Sequence, residues 1–416
     1  MNWFVFAARN LLRNRRRSAV TILAAAFGFA AVNVFGGFTA YMFDNLRDGF
    51  IYAGGNGHLQ VYRTGYKENA TTDPGGYLVP GDVYDRLTHL PEKDDRILLV
   101  AGTMELTGQL DAGDRANIFV AKAFQPSHRD VFFKESKTLG RGASFLDTGD
   151  SLSDENPNEI GIAHGVERIL GLGLESDVAL MARTVDGQIN VVDAVVRNTF
   201  ASPSSELDEK LIVLPLKLAQ DLVQTEGVGR IAILLKHRHD LPAVEQALRE
   251  FLEAEGGGYE VKRWDEESEL YQLTKKMFNM IFGIVFFILI VIVSMSVMNT
   301  MAMAIIERTT EIGTLRALGL RRAGVIQLFA MEGTLIGIGG AMAGLLLSVI
   351  VWATIKVQAP MWTPPTIGRK VPLEIQLVPE YLLMTSVFLI VLTLAAAILP
   401  ARKASSQGIV EALGHV

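Results

Sequence analysis

The sequence predicts an α-helical membrane protein with four transmembrane helices and a large α+β domain inserted between the first and the second. Three observations predict it. Four long apolar runs are nearly free of charge, a 233-residue polar stretch separates the first run from the second, and the 416 residues are 49% hydrophobic with a mean hydropathy of +0.27. That balance is too apolar for an ordinary soluble enzyme and too polar for a bare bundle of spans. No cysteine is present, which excludes disulfides, thiolate chemistry and CxxC zinc sites.

Residues 1–17, MNWFVFAARNLLRNRRR, interleave apolar positions with five arginines. This pattern predicts an amphipathic helix on a membrane surface, with Trp3, Phe4 and Leu11 facing lipid. Residues 18–43 carry no charge over 26 positions, too long for the core of a cleavable signal peptide, and predict the first span. The second span, 277–306, is an uncharged run of 30 residues. At about 1.5 Å per residue it exceeds a hydrocarbon core of about 30 Å, so one end projects beyond the bilayer as a lever. A run from Ala323 to Ile355 broken only by Glu332 gives the third span, 323–356, and residues 380–400 give the fourth. The loop 357–379 and the tail 401–416 complete the order. Four spans put both termini on one side. The short segments there are rich in Arg and Lys, whereas the opposite loop near Thr363 holds only Arg369 and Lys370, so the positive-inside rule places both termini in the cytoplasm.

The polar stretch 44–276 then lies outside. It holds 25 Lys and Arg against 39 Asp and Glu, a net charge of −14, while the rest of the chain carries +8. Period-two alternation predicts strands at 58–62, 177–183, 189–196, 211–214, 231–235 and 259–263, and helical patterns fall at 82–90, 159–170, 216–225 and 241–255. Residues 134–157, rich in Gly, Ser, Asp and Asn, read as an irregular loop.

The search for chemistry is largely negative. Phosphate-binding GxxxxGK[ST], zinc-binding HExxH and nucleophile-elbow GxSxG sequences are all missing. His237 and His239 share a face if their segment is a strand, as a two-histidine metal site needs, but no third ligand accompanies them, and a solvated strand edge explains them as well. No metal is expected. Asp265, Glu266, Glu267 and Glu269 read as the solvated, capped start of the helix that continues into the second span.

Two features of the membrane part stand out. Between spans two and three, residues 305–322 (IIERTTEIGTLRALGLRR) place Glu307 and Glu311 one turn apart, with Ile312, Leu315 and Gly319 at helical spacing and Arg321 and Arg322 at the end. They read either as a short helix pinned at both ends to spans or as an ordinary basic loop. In the third span, Glu332 is a carboxylate where charge is costly. It is either functional or reaches the nearby interface. Gly333, Gly337, Gly340 and Gly344 form a face that permits close helix approach, within this chain or to another.

At these residues the sequence resembles a known family. Glu307, Arg308, Thr310, Glu311, Ile312, Leu315, Arg316, Ala317, Leu318 and Gly319 resemble the coupling helix of FtsX, MacB and LolC/LolE type permeases of ABC transporters. Arg9, Asn10, Leu11, Arg13, Asn14 and Arg16 to Ser18 resemble the segment before that family's first span, and Pro400 to Ala404 with Ile409 to Leu413 resemble its ending. Ile162, Ala163, Leu170 to Leu172, Asp177, Val178 and the run 211–223 resemble its periplasmic domain.

The resemblance implies a permease of the bacterial inner membrane that acts as a dimer, with itself or a related subunit, bound to a pair of cytoplasmic ABC ATPases. MacB carries a fused nucleotide-binding domain, and this chain shows no Walker motif, so the implied ATPase is a separate polypeptide that holds the ATP and Mg. The permease itself is then no enzyme and needs no cofactor; nucleic acid is not an expected partner, and membrane lipid is. Residues 307–322 would be the coupling helix, with Ile312, Leu315 and Leu318 seated in an ATPase groove and Glu307, Arg308, Glu311 and Arg316 setting its orientation. The outside domain would divide into a porter-like part, 48–115 with 212–263, and a distal part, 116–211. The stretch 58–66 (HLQVYRTGY) is closest to the lipoprotein-releasing LolC/LolE branch, which implies extraction of a lipoprotein or other hydrophobic substrate from the outer leaflet. Phe43, Phe50, Ile51, Phe278 and Phe282 are the candidate cavity residues, with ordinary packing as the other reading. Export with a periplasmic adaptor, or regulation of a cell-wall hydrolase, remain the alternatives.

Overall fold

A computed structural model describes residues 3–70, 73–137, 146–202, 205–362 and 371–406. Two compact units divide them: one of residues 44–272, the other of the flanking segments that carry the long helices. Arg369, Lys370, part of the loop 134–157, Ile409 to Leu413 and the side chain of Trp3 lie outside the described residues.

The helical unit begins with α1 (Trp3–Arg13), and Asn14 separates it from α2 (Arg15–Asp48). Four more helices follow: α3 (Glu269–Glu307), α4 (Thr309–Ala317), α5 (Arg322–Gln358) and α6 (Pro379–Ser406). Among the described residues four helices are long and apolar enough to cross a membrane, those of 15–53, 269–307, 322–358 and 379–406. Each outruns the uncharged stretch that predicts it, because a helix continues wherever its backbone bonds allow, whatever its side chains meet. At 39 residues α3 is about 58 Å long. The fourth span was expected to stop at residue 400, but α6 passes through Pro400 to Ser406. The helices share one core that includes Phe29 of α2, Val293 and Val297 of α3, Phe329 and Ile336 of α5, and Leu389 and Ala397 of α6.

The 44–272 unit is built on a ten-stranded sheet. Its strands are β1 (Leu59–Arg63), β2 (Ile97–Asp111), β3 (Ala116–Phe124), β4 (Leu146–Gly149), β5 (Glu159–Ala163), β6 (Asp177–Arg183), β7 (Ile189–Phe200), β8 (Leu211–Pro215), β9 (Arg230–Leu235) and β10 (Tyr259–Arg263). They run in the order β10-β1-β9-β2-β3-β8-β5-β7-β4, with β6 joining β2 to β7. Helices 81–88, 216–223 and 241–254 bury Leu87, Leu218 and Leu248 in the core. At the β10 edge Arg249 donates a 2.7 Å hydrogen bond to the carbonyl of Val261, which blocks pairing with a further strand.

The long β2 organises this unit. Its first half pairs with β9 and its second half with β3 and β6. At Gly108 a Cβ would stand 2.2 Å from the carbonyl oxygen of Met181, so only glycine lets the strands approach there. β8, expected with the porter-like part, sits between β3 and β5 among the strands expected to be distal. One sheet therefore runs through both expected parts. The segment 159–170, expected as helix, is strand to Ala163 and helix from His164.

Candidate functional site

The 305–322 segment folds into α4 with a one-residue break before it and a tight turn after it. Arg308 leaves the helical conformation at φ −118°, ψ 17°. Its break is closed by Thr309, whose hydroxyl donates back to the carbonyls of Ile305 (2.9 Å) and Ile306 (3.1 Å), groups that a helix end otherwise leaves unpaired. At the other end Gly319 takes φ +99°, and the amides of Gly319 and Leu320 return to the carbonyls of Arg316 and Leu315. This is a Schellman closure, which needs a left-handed residue at that position.

Behind α4 lies a buried polar node. The Glu332 carboxylate of α5 is 3% exposed and Arg308 is 6% exposed. Arg308 Nη1 donates to Glu332 Oε1 at 3.0 Å, and Asn10 Nδ2 of α1 donates to the same oxygen at 2.7 Å. A buried carboxylate is tolerated when charge and hydrogen bonds compensate it, and both are supplied here. Around the node, Arg17 pairs with Glu307 at 2.5 Å and Arg13 with Glu311 at 3.1 Å. Asn14 donates to Glu307 at 3.4 Å, and Arg308 Nε lies 3.7 Å from Glu311.

This geometry separates the expected coupling residues. Arg308, expected to set the orientation of the helix, points inward to Glu332. Ile312 was grouped with Leu318 in one docking face, yet six residues at 100° each carry the helix about 240° round, so the two cannot share a face. Ile312 is buried in the helical core, Leu315 is half-buried, and Leu318 is 81% exposed. Thr310, Glu311, Thr314 and Ala317 are exposed with it.

The glycine face of α5 serves two neighbours in the same chain. A Cβ on Gly333 would stand 2.6 Å from the Ala397 Cβ, and one on Gly337 would stand 2.3 Å from the Thr393 hydroxyl, both on α6. Gly340 and Gly344 turn instead to α2, where added Cβ atoms would meet Ala25 at 2.8 Å and Phe29 at 2.7 Å.

The candidate cavity residues separate. Phe278 is buried, its ring 5.9 Å from Phe35 and 6.0 Å from Phe43, and Phe282 stacks on Phe35 and Phe286. These rings knit α2 to α3. Ile51 is fully buried in the core of the 44–272 unit, with Phe50 packed against that core, so Ile51 presents no surface to a ligand. His237 and His239 stack at 5.4 Å, and among the described residues no three His, Cys, Asp or Glu side chains are placed to hold a metal.

Sequence reasoning missed Asn10, Asn14 and Arg17 as partners of the acidic residues. Their signal was present: positions 10, 14 and 17 follow helical spacing on one stripe.

Comparison with known proteins bears on this segment directly. Residues 283–409, which include α4, α5 and the part of α3 that leads into α4, match the FtsX-like permease C-terminal family. The lipoprotein-releasing system transmembrane protein LolC of Xylella fastidiosa (strain 9a5c) is 27% identical over 207 residues, 48% of this chain and 49% of LolC. The macrolide export ATP-binding/permease protein MacB of Escherichia coli (strain K12) is 29% identical over 190 residues, 45% of this chain and 28% of MacB. The periplasmic region of MacB from Actinobacillus actinomycetemcomitans aligns with a TM-score of 0.38 at 12% identity, covering 51% of this chain and 92% of that one. The match spans about half the length of LolC and less of MacB. Residues 283–409 therefore carry an FtsX-like permease C-terminal domain, and over about half its length the chain is similar to LolC and MacB.

Proposed function

We propose that this chain is the membrane subunit of an ABC transporter and is driven by a cytoplasmic ATPase on a separate polypeptide that binds the ATP and Mg. In this reading the chain sits in the bacterial inner membrane as one half of a permease dimer, with both termini and α4 in the cytoplasm and the 44–272 unit in the periplasm. The observation that supports it most is the two-sidedness of α4. One face, Ile312 with Thr309 and Gly313, is buried in the chain's own core, while the other offers Leu318 and small polar residues to a partner. A helix held in that way between two long apolar helices passes a push from its exposed face to both of them.

The substrate proposal follows the relatives. Similarity to LolC, named as part of a lipoprotein-releasing system, favours a lipoprotein or another lipid-anchored, hydrophobic substrate drawn from the outer leaflet. Similarity to MacB, named for macrolide export, supports a second reading in which the chain exports small hydrophobic molecules with a periplasmic adaptor.

The test is purification of the detergent-solubilised protein from its native membrane, with mass spectrometry of what stays bound, for the natural chain and for Leu318→Asp. An ABC ATPase should accompany the natural chain and fall at least about tenfold in the variant, since a charge would be forced into an apolar docking pocket. Acylated proteins in the natural sample support the lipoprotein reading, and an adaptor protein supports export. Recovery of no ATPase after mild crosslinking would sink the transporter proposal.

A further inference from the structure

We propose that α4 does not act alone: Glu332 is a positioning residue that bolts α1, α4 and the first third of α5 into one rigid body, so that the N-terminal helix moves with α4. The use of that body in energy coupling rests on the ATPase reading above, whereas its existence does not.

The argument starts from the break at Arg308. A single non-helical residue between a 39-residue helix and a 9-residue helix is a swivel, bridged locally by the Arg308 amide and the Thr309 hydroxyl, which both return to the Ile305 carbonyl. The side chain of that same residue ties the swivel to a distant helix. Its guanidinium turns inward and is held by the carboxylate of Glu332, ten residues into α5. Swinging α4 outward would drag Arg308, the one cation among the described residues that pairs with Glu332, out of reach and leave a buried carboxylate without its counter-charge.

The second donor brings in α1. Asn10 and Arg308 meet on one oxygen atom, so α1, the α3–α4 break and α5 are joined at a single point. Ala7, fully buried, and Asn10, Leu11 and Asn14 form the i, i+3, i+4, i+7 stripe that faces inward. Phe4, Val5 and Leu12 face out at 51%, 49% and 73% exposure. The outer ion pairs repeat the pattern on both sides of the swivel. Arg17 holds Glu307, the last residue of α3, and Arg13 holds Glu311 in α4. Those pairs are exposed and individually weak, so the buried node sets the geometry.

The experiment is hydrogen exchange of the full-length protein in lipid nanodiscs without nucleotide or ATPase. Glu332→Ala should speed exchange of the amides of 6–13 and of 312–317 together, by about tenfold or more, the size expected when charge-assisted hydrogen bonds leave a local opening equilibrium. Amides of Val293 to Val297 and of β9 should keep their natural rates. Asn10→Ala should loosen 6–13 by about threefold and barely change 312–317, because only the link to α1 is cut. The exchanged pair Arg308→Glu with Glu332→Arg should restore both segments to within about twofold, which a general loss of packing would not do. Natural rates in both segments of Glu332→Ala, or loosening of 312–317 with 6–13 untouched, would overturn the proposal. Should Glu332→Ala fail to insert, Glu332→Gln and Asn10→Ala decide the matter: natural exchange of 6–13 in both overturns it equally. Because no ATPase is present, this outcome is independent of whether one binds.

Discussion

The helical unit and the 44–272 unit rely on buried polar links to different degrees. In the helical unit they join elements far apart in sequence: Asn10 and Arg308 to Glu332, Thr21 to Thr300 at 2.6 Å, and Asn33 to Thr385 at 2.9 Å. In the 44–272 unit such links also occur, as from Ser136 to Asp48 at 2.6 Å, but they stand beside a much larger apolar core. The hydroxyl of Tyr62 donates to Gln60 two residues away, and His58 accepts from the backbone amide of Leu235, distant in sequence but next to it across the paired strands β1 and β9. Most of the long-range work there is done by Leu, Ile, Val and Phe. The contrast follows from the solvent. Apolar burial drives folding in water, but lipid chains are as apolar as leucine, so helix contacts must be specified by close-packing glycines and polar links.

The largest test of this contrast falls on the sheet. Phe119 is 1% exposed and lies in the core cluster on β3, so Phe119→Ala should cost about 3–5 kcal/mol. Hydrogen exchange should show β2, β3 and β6 losing protection while Val293 to Val297 keep theirs. Equal loss in both units would mean that the two do not have separate cores.

How far this division was legible in the sequence differs between the units for the same reason. The four spans follow from uncharged runs, a signal that needs no knowledge of partners. Strands β1, β6, β8, β9 and β10 were found within a residue or so because their alternation is clean. β2 and β3 were missed. The first half of β2 is buried on both faces at Val100 to Gly102, which erases alternation, and β3 turns Ile118 outward at 63% exposure while Ala121 and Ala123 face the core. The glycine face of α5 was legible as spacing, but which helix each glycine meets is a property of the packed bundle. The node at Glu332 was legible only as an oddity. Its partners stand 24 and 322 positions away, and no pattern within a window links them.

A smaller effect sharpens the comparison through pH. Burial, with the nearby cations Arg238 and Arg47, lowers the pKa of His58 to about 4 from its ordinary 6.5. The folded unit therefore holds this imidazole neutral at pH values where the unfolded chain takes up a proton. Its contribution to stability is complete above about pH 6.5 and is lost as pH falls toward 4, at up to about 1.4 kcal/mol per pH unit. Urea unfolding of the 44–272 unit, followed by exchange of the β1 and β9 amides between pH 7.5 and 5, should show this slope in the natural protein. His58→Gln should flatten it, and an unchanged slope would assign the acid sensitivity to other groups.

The smallest effect belongs to the helical unit. Asn33 lies within α2, where its amide donates to the Thr385 hydroxyl of α6 and to the carbonyl of Phe29. A leucine at that position would lose the inter-helix link but would gain no exposed apolar surface in lipid. Asn33→Leu should therefore cost only about 0.6 kcal/mol, and not above about 1.7, the range found for hydrogen bonds between helices in membranes. Steric trapping or detergent titration of the purified protein measures it, with Thr385→Val as the reciprocal change. The two single changes and their double should be strongly non-additive, because each removes the same bond. A cost above about 3 kcal/mol would put Asn33 in the class of Phe119. The helical unit would then be held at this depth by packing around Asn33, as the sheet is by its core, and the division between the units would not extend to the middle of the bundle.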